Sequence, residues 1–575
     1  MKRFVRGLMW AALGVFLMSA ASCEKEKEKE GNGGNGSVRV DDVTILSSNN
    51  LYGKVSDALT GEGIAGVPVS DGWHFTTTDA KGVYQFAGHA KTRVVYLTVP
   101  AAYEIPMGED GYPCFYQAAT LPAKGQVRRD FTLTPRADKG DAFTLFLAAD
   151  THVQKQSDLA RFTGETLPDI KSLVRSGVAD GTYRNPVAMV LGDFLWDNAG
   201  MATAMKKAVS GMDIGDGRIL PFLPCIGNHD HDGTNYTSDY TATQYWVDNY
   251  GPTDWSLDLG KAHIISMDNI LASGGQKKYG TDYYGCVYSH AFTNEQVAWL
   301  KEDLALVDHP ENKIVILCVH CPFIGQLGAK NFKNIISQLT AFHEAHIFSG
   351  HSHILRNVRH EAYVCKGGRA VYEHNIQATS GTWWLGNISS DGAPMGYGVF
   401  RFSGNTLFES INKTTLQPLD YQMRVYDSND SYNGKTAGSG VTSPKHNENY
   451  VWNDPAPKNS FLVRIWDAIP DEWTVEFVKD GVSTPMTWLS KGQVDACAAS
   501  FNYNILNCPY ASRESYQKPQ SSFWTIEAPC GDPAKETGWT VVATHRMPGG
   551  WKLTYRSSKL MRDYQGFAAG ERYAQ

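Results

Sequence analysis

Five short motifs in the middle of the chain carry side chains that bind metal ions in proteins. Each motif follows an apolar run, and together they read Asp150-Thr151-His152, Gly192-Asp193, Gly227-Asn228-His229-Asp230, His320-Cys321-Pro322 and Gly350-His351-Ser352-His353. The predicted donors are Asp150, His152, Asp193, Asn228, His320, His351 and His353. Oxygen and imidazole donors suit hard or borderline ions, and this set exceeds the ligand number of one tetrahedral ion. The motifs therefore predict two ions that share a carboxylate.

Asp193 is the predicted bridge between the two ions, because it lies in the middle of the set and directly follows Gly192. Two divalent ions carry four positive charges, of which the carboxylates of Asp150 and Asp193 remove two. The remaining charge matches a hydroxide and a phosphate group. Since metal binding lowers the pKa of water towards about 7, such a centre supplies a nucleophile at neutral pH.

The motifs need a scaffold that brings them together, and the apolar runs before them predict one. These runs are typical of buried strands and cover residues 143–149, 187–191, 219–225, 263–267, 314–319 and 346–348. Helical stretches lie between them, for example at 296–306 and 332–343. Apolar strands that alternate with helices predict an α/β domain, and ligands of such sheets bind at the carboxyl ends of the strands. We therefore expect all five motifs at one edge.

In their order and form the motifs resemble those of the calcineurin-like metallophosphoesterase superfamily: D-x-H, G-D-x-x-D, G-N-H-D/E, H-x-P and G-H-x-H. The resemblance covers residues 138–413 and implies a four-layer β-sandwich flanked by helices. It implies that one metal is bound by Asp150, His152, Asp193 and His353. The other metal would be bound by Asp193, Asn228, His320 and His351. The ions would be divalent or trivalent Fe, Mn, Zn or similar, and the sequence does not choose among them.

The same resemblance implies catalytic roles for His229 and Asp230. His229 would meet the substrate and protonate or stabilise the leaving oxygen, and Asp230 would orient its imidazole. Asp197 departs from the family motif, since three residues rather than two separate it from Asp193. Cys318 and Cys321 flank His320, and we interpret both as structural rather than redox-active.

Residues 374–399 resemble a bacterial branch of the superfamily in which β domains flank the catalytic unit on both sides. Within this stretch Trp383 and Trp384 would either cover the substrate or pack inside a sheet. Asp391 and Tyr397 are predicted to line the pocket.

The flanking regions are predicted to be β domains. Short strands separated by Gly and Asp turns predict a β-sandwich over residues 48–137, which resembles the carboxypeptidase regulatory-like fold. Residues 414–575 are predicted to be a second β domain without helices. Either domain offers a surface for a glycan or a partner protein.

The N-terminus reads as a targeting segment. Residues 1–23 combine a basic start, a short apolar run and small residues before Cys23, which resembles a bacterial lipoprotein signal, while a plain cleaved signal is the alternative. Charged and then Gly/Asn-rich residues over 24–47 predict a flexible tether. We expect an exported protein, lipidated at Cys23 and anchored to the bacterial outer membrane, with exposure at the cell surface left open.

Composition limits the function further. The 575 residues include 53 Lys and Arg and 60 Asp and Glu, a formal net charge of −7, so no basic face for nucleic acid is expected. The sequence predicts a tethered phosphohydrolase that cleaves small phosphate mono- or diesters with a metal-bound hydroxide. The alternative is a surface binding component of an uptake assembly with vestigial or no turnover.

Overall fold

The computed structural model describes residues 38–234, 236–279, 283–434, 444–453, 457–509, 512–546 and 552–571. The predicted signal segment with Cys23, and residues 24–37 of the predicted tether, lie outside the described residues. Within the described ranges, no helix has both the length and the apolar character needed to cross a bilayer.

Two stacked sheets form the centre of the catalytic region. The first has the strand order Phe222–Cys225, Pro186–Leu191, Phe143–Ala148, Gly396–Ser403 and Thr406–Thr414. The second has the order Trp255–Leu259, Ala262–Ser266, Ile314–Cys318, Glu344–Ser349, Ala370–Asn375 and Arg356–Val364. Phe348 of the second sheet packs against Phe400 of the first, with ring centroids 4.6 Å apart. The strands that precede the motifs run parallel within each sheet, so their carboxyl ends share an edge.

Helices pack their apolar sides against these sheets. They span Gln156–Arg161, Leu167–Ala179, Ala202–Val209, Asp239–Ala242, Gln244–Tyr250, Asn294–Ala305 and Phe332–Leu339. The predicted α/β class with flanking helices is confirmed. The sequence pattern does not mark the two helices that lie within residues 232–251. The first begins at the N-cap Ser238, whose hydroxyl accepts the Thr241 N–H. A long hairpin, Ile270–Tyr279 with Tyr283–His290, follows.

The N-terminal region is a two-sheet β domain that shares its core with the catalytic region. One sheet contains Leu51–Asp57, Val83–Phe86, Val127–Arg128 and Phe131–Leu133. The other has the order Phe75–Thr77, Pro68–Ser70, Val94–Leu97 and Tyr116–Ala118. A two-strand pair, Arg39–Val40 with Val43–Thr44, precedes them. The buried Trp299 Nε1 donates to the Tyr96 hydroxyl at 3.0 Å, which connects this domain to the helix Asn294–Ala305 of the catalytic region.

The C-terminal region also contains two four-stranded sheets. The first has the strand order Met423–Asp427, Ser460–Ile465, Phe523–Glu527 and Thr487–Trp488. The second has the order Val482–Pro485, Trp473–Lys479, Trp539–Arg546 and Lys552–Ser557. The expectation that helices are absent here was wrong. A helix at Ala496–Ser500 continues as a wider turn over Phe501–Leu506, and a short 3₁₀ turn spans Arg513–Gln517. Asp495 caps the first of these by accepting the Ala498 N–H, and small alanines let the helix pack in the core.

A buried ion pair at His263 makes stability depend on pH. Its Nε2 lies 2.8 Å from Asp303 Oδ2 and its Nδ1 lies 2.8 Å from Asp258 Oδ1. Burial alone lowers the pKa of His263, but Asp303 outweighs it and raises the pKa to about 10. The folded protein therefore keeps this proton after the unfolded chain has lost its own near pH 6.5.

We expect this proton to stabilise the fold fully below about pH 6.5, and the stabilisation to vanish as pH rises to about 10. Thermal unfolding midpoints measured across this range should fall less steeply in His263→Gln than in the wild type. His309→Gln is the control, because its imidazole is 81% exposed. Equal slopes for the two variants would contradict the assignment.

Candidate metal centre

The structure brings all seven predicted donors together at the carboxyl ends of strands from both central sheets. Asp150 and His152 follow Phe143–Ala148, and Asp193 follows Pro186–Leu191. The remaining four follow Phe222–Cys225, Ile314–Cys318 and Glu344–Ser349. Six of the seven side chains are buried and His351 is half-buried.

The first group of donors surrounds one point. His152 Nε2 lies 2.9 Å from His353 Nε2 and 3.7 Å from Asp150 Oδ1. His353 Nε2 lies 3.4 Å from Asp150 Oδ1, and His152 Nε2 lies 3.6 Å from Asp193 Oδ2. Ligands held about 2.0–2.2 Å from one ion are separated by roughly 3 to 3.6 Å. These four side chains can therefore hold a metal ion.

The second group lies beside the first. His320 Nε2 is 3.2 Å from Asp193 Oδ2 and 3.1 Å from Asn228 Oδ1. His351 Nδ1 is 2.8 Å from Asn228 Oδ1 and 3.3 Å from His320 Nε2. Asp193 Oδ2 faces both groups, which is the geometry that a bridging carboxylate requires.

The protonation states of His152, His351 and Asp193 suit metal ligands. Burial lowers the pKa of His152 to about 4 and that of His351 to about 3, so both rings are neutral at pH 7. Burial raises the pKa of Asp193, but the neighbouring His320 outweighs it and holds the pKa well below its usual value. The His320 Nδ1–H donates to the Leu191 carbonyl at 2.8 Å, which leaves Nε2 to face the centre.

The backbone at the centre adopts an uncommon conformation. Asp150, His152, Asp193, His351 and His353 all have left-handed φ values between 45° and 65°. Each such residue costs of order 1–3 kcal/mol and persists only where surrounding contacts enforce it. The amino-acid sequences of the motifs do not by themselves predict these left-handed φ values.

Glycines allow the donors to approach one another. A Cβ at Gly192 would lie 2.3 Å from His320 Nδ1, and one at Gly350 would lie 2.7 Å from Asp150 Oδ2. The glycines of these motifs are therefore part of the site, because any side chain there would displace a donor.

His229 lies next to the donor cluster and is oriented by Asp197. Its Nδ1 is 3.0 Å from Asp197 Oδ2, and its backbone N–H donates to Asp193 Oδ1 at 2.9 Å. Burial lowers the pKa of His229, but Asp197 and then Asp193 outweigh it and raise the pKa to about 9. At neutral pH the imidazole can thus donate a proton.

The prediction that Asp230 orients His229 was wrong. The Asp230 carboxylate instead accepts the backbone N–H groups of Phe194, Leu195 and Gly227 at 2.9–3.1 Å. It turns inward and joins the second motif to the third. Asp197 is the aspartate that contacts the imidazole.

Other sequence predictions have mixed outcomes. Trp383 lines the cavity beside the centre, whereas Trp384 is buried and its Nε1 donates to the Thr151 carbonyl at 2.8 Å. Asp391 and Tyr397 do not line the cavity: Asp391 forms a buried pair with Arg464, and the Tyr397 hydroxyl donates to Asp169.

Both cysteines beside His320 are buried, and burial raises the pKa of each thiol. The described cysteines are all free thiols. The Cys321 sulfur also lies near the imidazoles of His290 and His351, with the three donor atoms within 4.8 Å of one another.

A cavity of about 320 Å³ opens beside the centre. The sequence interpretation missed part of its wall, namely Tyr288, Ser352, Ser512, Ser515 and Lys518. Ser352 is the variable residue of the fifth motif, no motif marks the other four positions, and three of those four lie in the C-terminal region.

Three family models match the chain. "Calcineurin-like phosphoesterase" matches residues 143–355, "N terminal of Calcineurin-like phosphoesterase" matches 49–136, and "C terminal of Calcineurin-like phosphoesterase" matches 373–548. No curated protein matches the chain.

Solved structures show distant similarity. The NAD nucleotidase of Haemophilus influenzae is 12% identical, with a TM-score of 0.26 over 48% of this chain and 50% of that chain. A purple acid phosphatase from yellow lupin (Lupinus luteus) seeds is 12% identical, with a TM-score of 0.30 over 59% and 56%. A 5′-nucleotidase from Candida albicans is 12% identical, with a TM-score of 0.26 over 46% and 48%. This chain spans about half the length of these structures.

Proposed function

The chain belongs to the calcineurin-like phosphoesterases and has that family's N- and C-terminal flanking domains. We propose that it is a metal-dependent phosphoesterase that hydrolyses small phosphate mono- or diesters at a two-metal centre. The observation that carries this proposal is the position of Asp193. Its Oδ2 lies 3.6 Å from His152 Nε2 and 3.2 Å from His320 Nε2, between the two groups of donors.

The chain's residues have distinct parts in the proposed reaction. Bound metal ions would supply positive charge for the phosphoryl oxygens and a water that loses its proton near neutral pH. His229, held by Asp197, donates its proton to the oxygen of the departing alcohol as the phosphorus–oxygen bond breaks. The water oxygen forms the new bond to phosphorus, so no phosphoenzyme is formed.

The experiment is hydrolysis of p-nitrophenyl phosphate and bis(p-nitrophenyl) phosphate with added Mn²⁺, before and after chelation. We expect turnover of at least one substrate, its loss with the chelator, and its return when Mn²⁺ is restored. Metal content measured on the same samples must follow activity. Stoichiometric metal with no hydrolysis across a broad panel of phosphate esters would overturn the proposal and favour a surface binding protein.

We also propose that the enzyme is anchored to the bacterial outer membrane through a lipid on Cys23. The support is the sequence of residues 1–37 alone. The full chain should partition into detergent and carry the mass of an acylated N-terminus. Cys23→Ser should lose both properties, and unchanged partitioning of that variant would contradict the proposal.

A further inference from the structure

The cavity beside the metal centre has a wall built by the C-terminal domain. His229, His351 and His353 line this cavity, and so do Ser512, Ser515 and Lys518. Ser512 is the residue before the 3₁₀ turn Arg513–Gln517, and Lys518 is the residue after it. A domain that contributes none of the predicted metal donors therefore contacts the same space.

Lys518 is the cation of this wall. Among the described residues that line the cavity, it is the one lysine or arginine, and no described carboxylate lies within 4.0 Å of its ammonium group. The neighbouring Arg513 is committed elsewhere, because it pairs with Glu448 and lies over the Tyr503 ring. Lys518 is exposed and its charge is available to a ligand.

The two serines add hydroxyl groups beside this charge. Ser512 Oγ and Ser515 Oγ lie 3.2 Å apart. Ser512 also forms a hydrogen bond with the Glu514 carboxylate, which lies outside the cavity wall. Within the part of the wall that the C-terminal domain contributes, Ser515 and Lys518 can therefore donate to an anion in the cavity.

The placement of Lys518 has an electrostatic consequence. A metal centre with a net positive charge would repel an ammonium group that lines the same cavity, and an anion bound between them would be attracted to both. The phosphoryl group that is cleaved must lie at the metal donors. The ions bound there would already neutralise that group, so the charge of Lys518 is left for another part of the substrate.

The cavity size limits that substrate. Its volume of about 320 Å³ is near the lower end of the range for small-molecule pockets, roughly 300–1,000 Å³. The space suits a compact ester and not an enclosed polymer segment.

We propose that Lys518, assisted by Ser515, is a specificity-determining residue that selects small phosphate esters carrying a second anionic group. The second group is a phosphate or a carboxylate, both of which accept hydrogen bonds from an ammonium and a hydroxyl group. This proposal rests on the proposed phosphoesterase function, since it assigns a substrate class to the same site.

The test compares paired substrates with and without the second charge, using the metal-loaded full chain. Phenyl phosphate is paired with 4-carboxyphenyl phosphate, and propyl phosphate with propane-1,3-diyl bisphosphate. Lys518→Met should raise KM for the charged member of each pair about tenfold, with kcat and the uncharged member unchanged. Lys518→Arg should restore most of the loss. Lys491→Met is the matched control, because Lys491 is an exposed lysine of the same domain that does not line the cavity.

A binding measurement separates failure of this proposal from failure of the proposed function. Calorimetry should show that the wild type prefers phosphonoacetate to methylphosphonate and that Lys518→Met loses the preference. Equal KM changes for both members of each pair, or an unchanged preference in binding, would overturn the role of Lys518. Absence of all hydrolysis would overturn the enzyme function, while the binding comparison would still decide the role of Lys518.

Discussion

Replacing Asp193 by asparagine is expected to lower kcat/KM for p-nitrophenyl phosphate by roughly a thousandfold or more, with loss of bound metal. Asn has nearly the same shape as Asp, so the change removes a charge and leaves the volume intact. Asp193 Oδ2 faces His152 and His320, and its Oδ1 accepts the His229 N–H. One substitution therefore affects both donor groups and the placement of His229.

The control for this variant is Asp303→Asn. Asp303 is buried to a similar extent in the same domain, but it pairs with His263 away from the cavity. The Asp303→Asn variant should have a lower thermal unfolding midpoint than the wild type and an unchanged metal content. Asp193→Asn with full metal content and wild-type turnover would contradict the bridging role.

Replacing His229 by glutamine is expected to lower kcat by about a hundred- to ten-thousandfold while metal content is retained, the usual size of a general-acid contribution. His229 is outside the set of seven donors, and its ring is held by Asp197 at 3.0 Å. The loss should be larger for an alkyl phosphate than for p-nitrophenyl phosphate, because a poor leaving group depends more on the proton. Equal losses for both substrates would contradict the role of a proton donor.

The pH profile distinguishes the two aspartates near His229. With its pKa raised to about 9, the imidazole loses its proton as pH rises through that value, so activity should fall on the alkaline side. Asp197 is the main charge that raises this pKa. Asp197→Asn should therefore move the alkaline limb to lower pH, whereas Asp230→Asn should lower stability and leave the limb in place. The reverse pattern would show that Asp230 positions the imidazole.

Much of the centre could be predicted because its information is local. A carboxylate or imidazole at alternate positions after a buried strand, as at Asp150 and His152 or His351 and His353, points to one edge of a parallel sheet. The apolar runs likewise determine the α/β class. These features depend on residues close together in the chain, and the structure agrees with them.

The helix at Ala496–Ser500 was missed for an energetic reason. Its segment is short and lies among strands, so local propensity alone does not distinguish it from a loop. Burial of its small side chains in the C-terminal core and the Asp495 cap decide its conformation.

The sequence by itself determined the donor types, their order and the sheet edge at which they meet. Tertiary structure decided which aspartate contacts His229, because Asp230 is its neighbour in sequence, whereas Asp197 belongs to the second motif and reaches the ring only through the fold. It also decided that Lys518 lines the cavity, since that contact joins segments far apart along the chain. Contacts between distant segments depend on how whole domains pack, and no short sequence pattern encodes them.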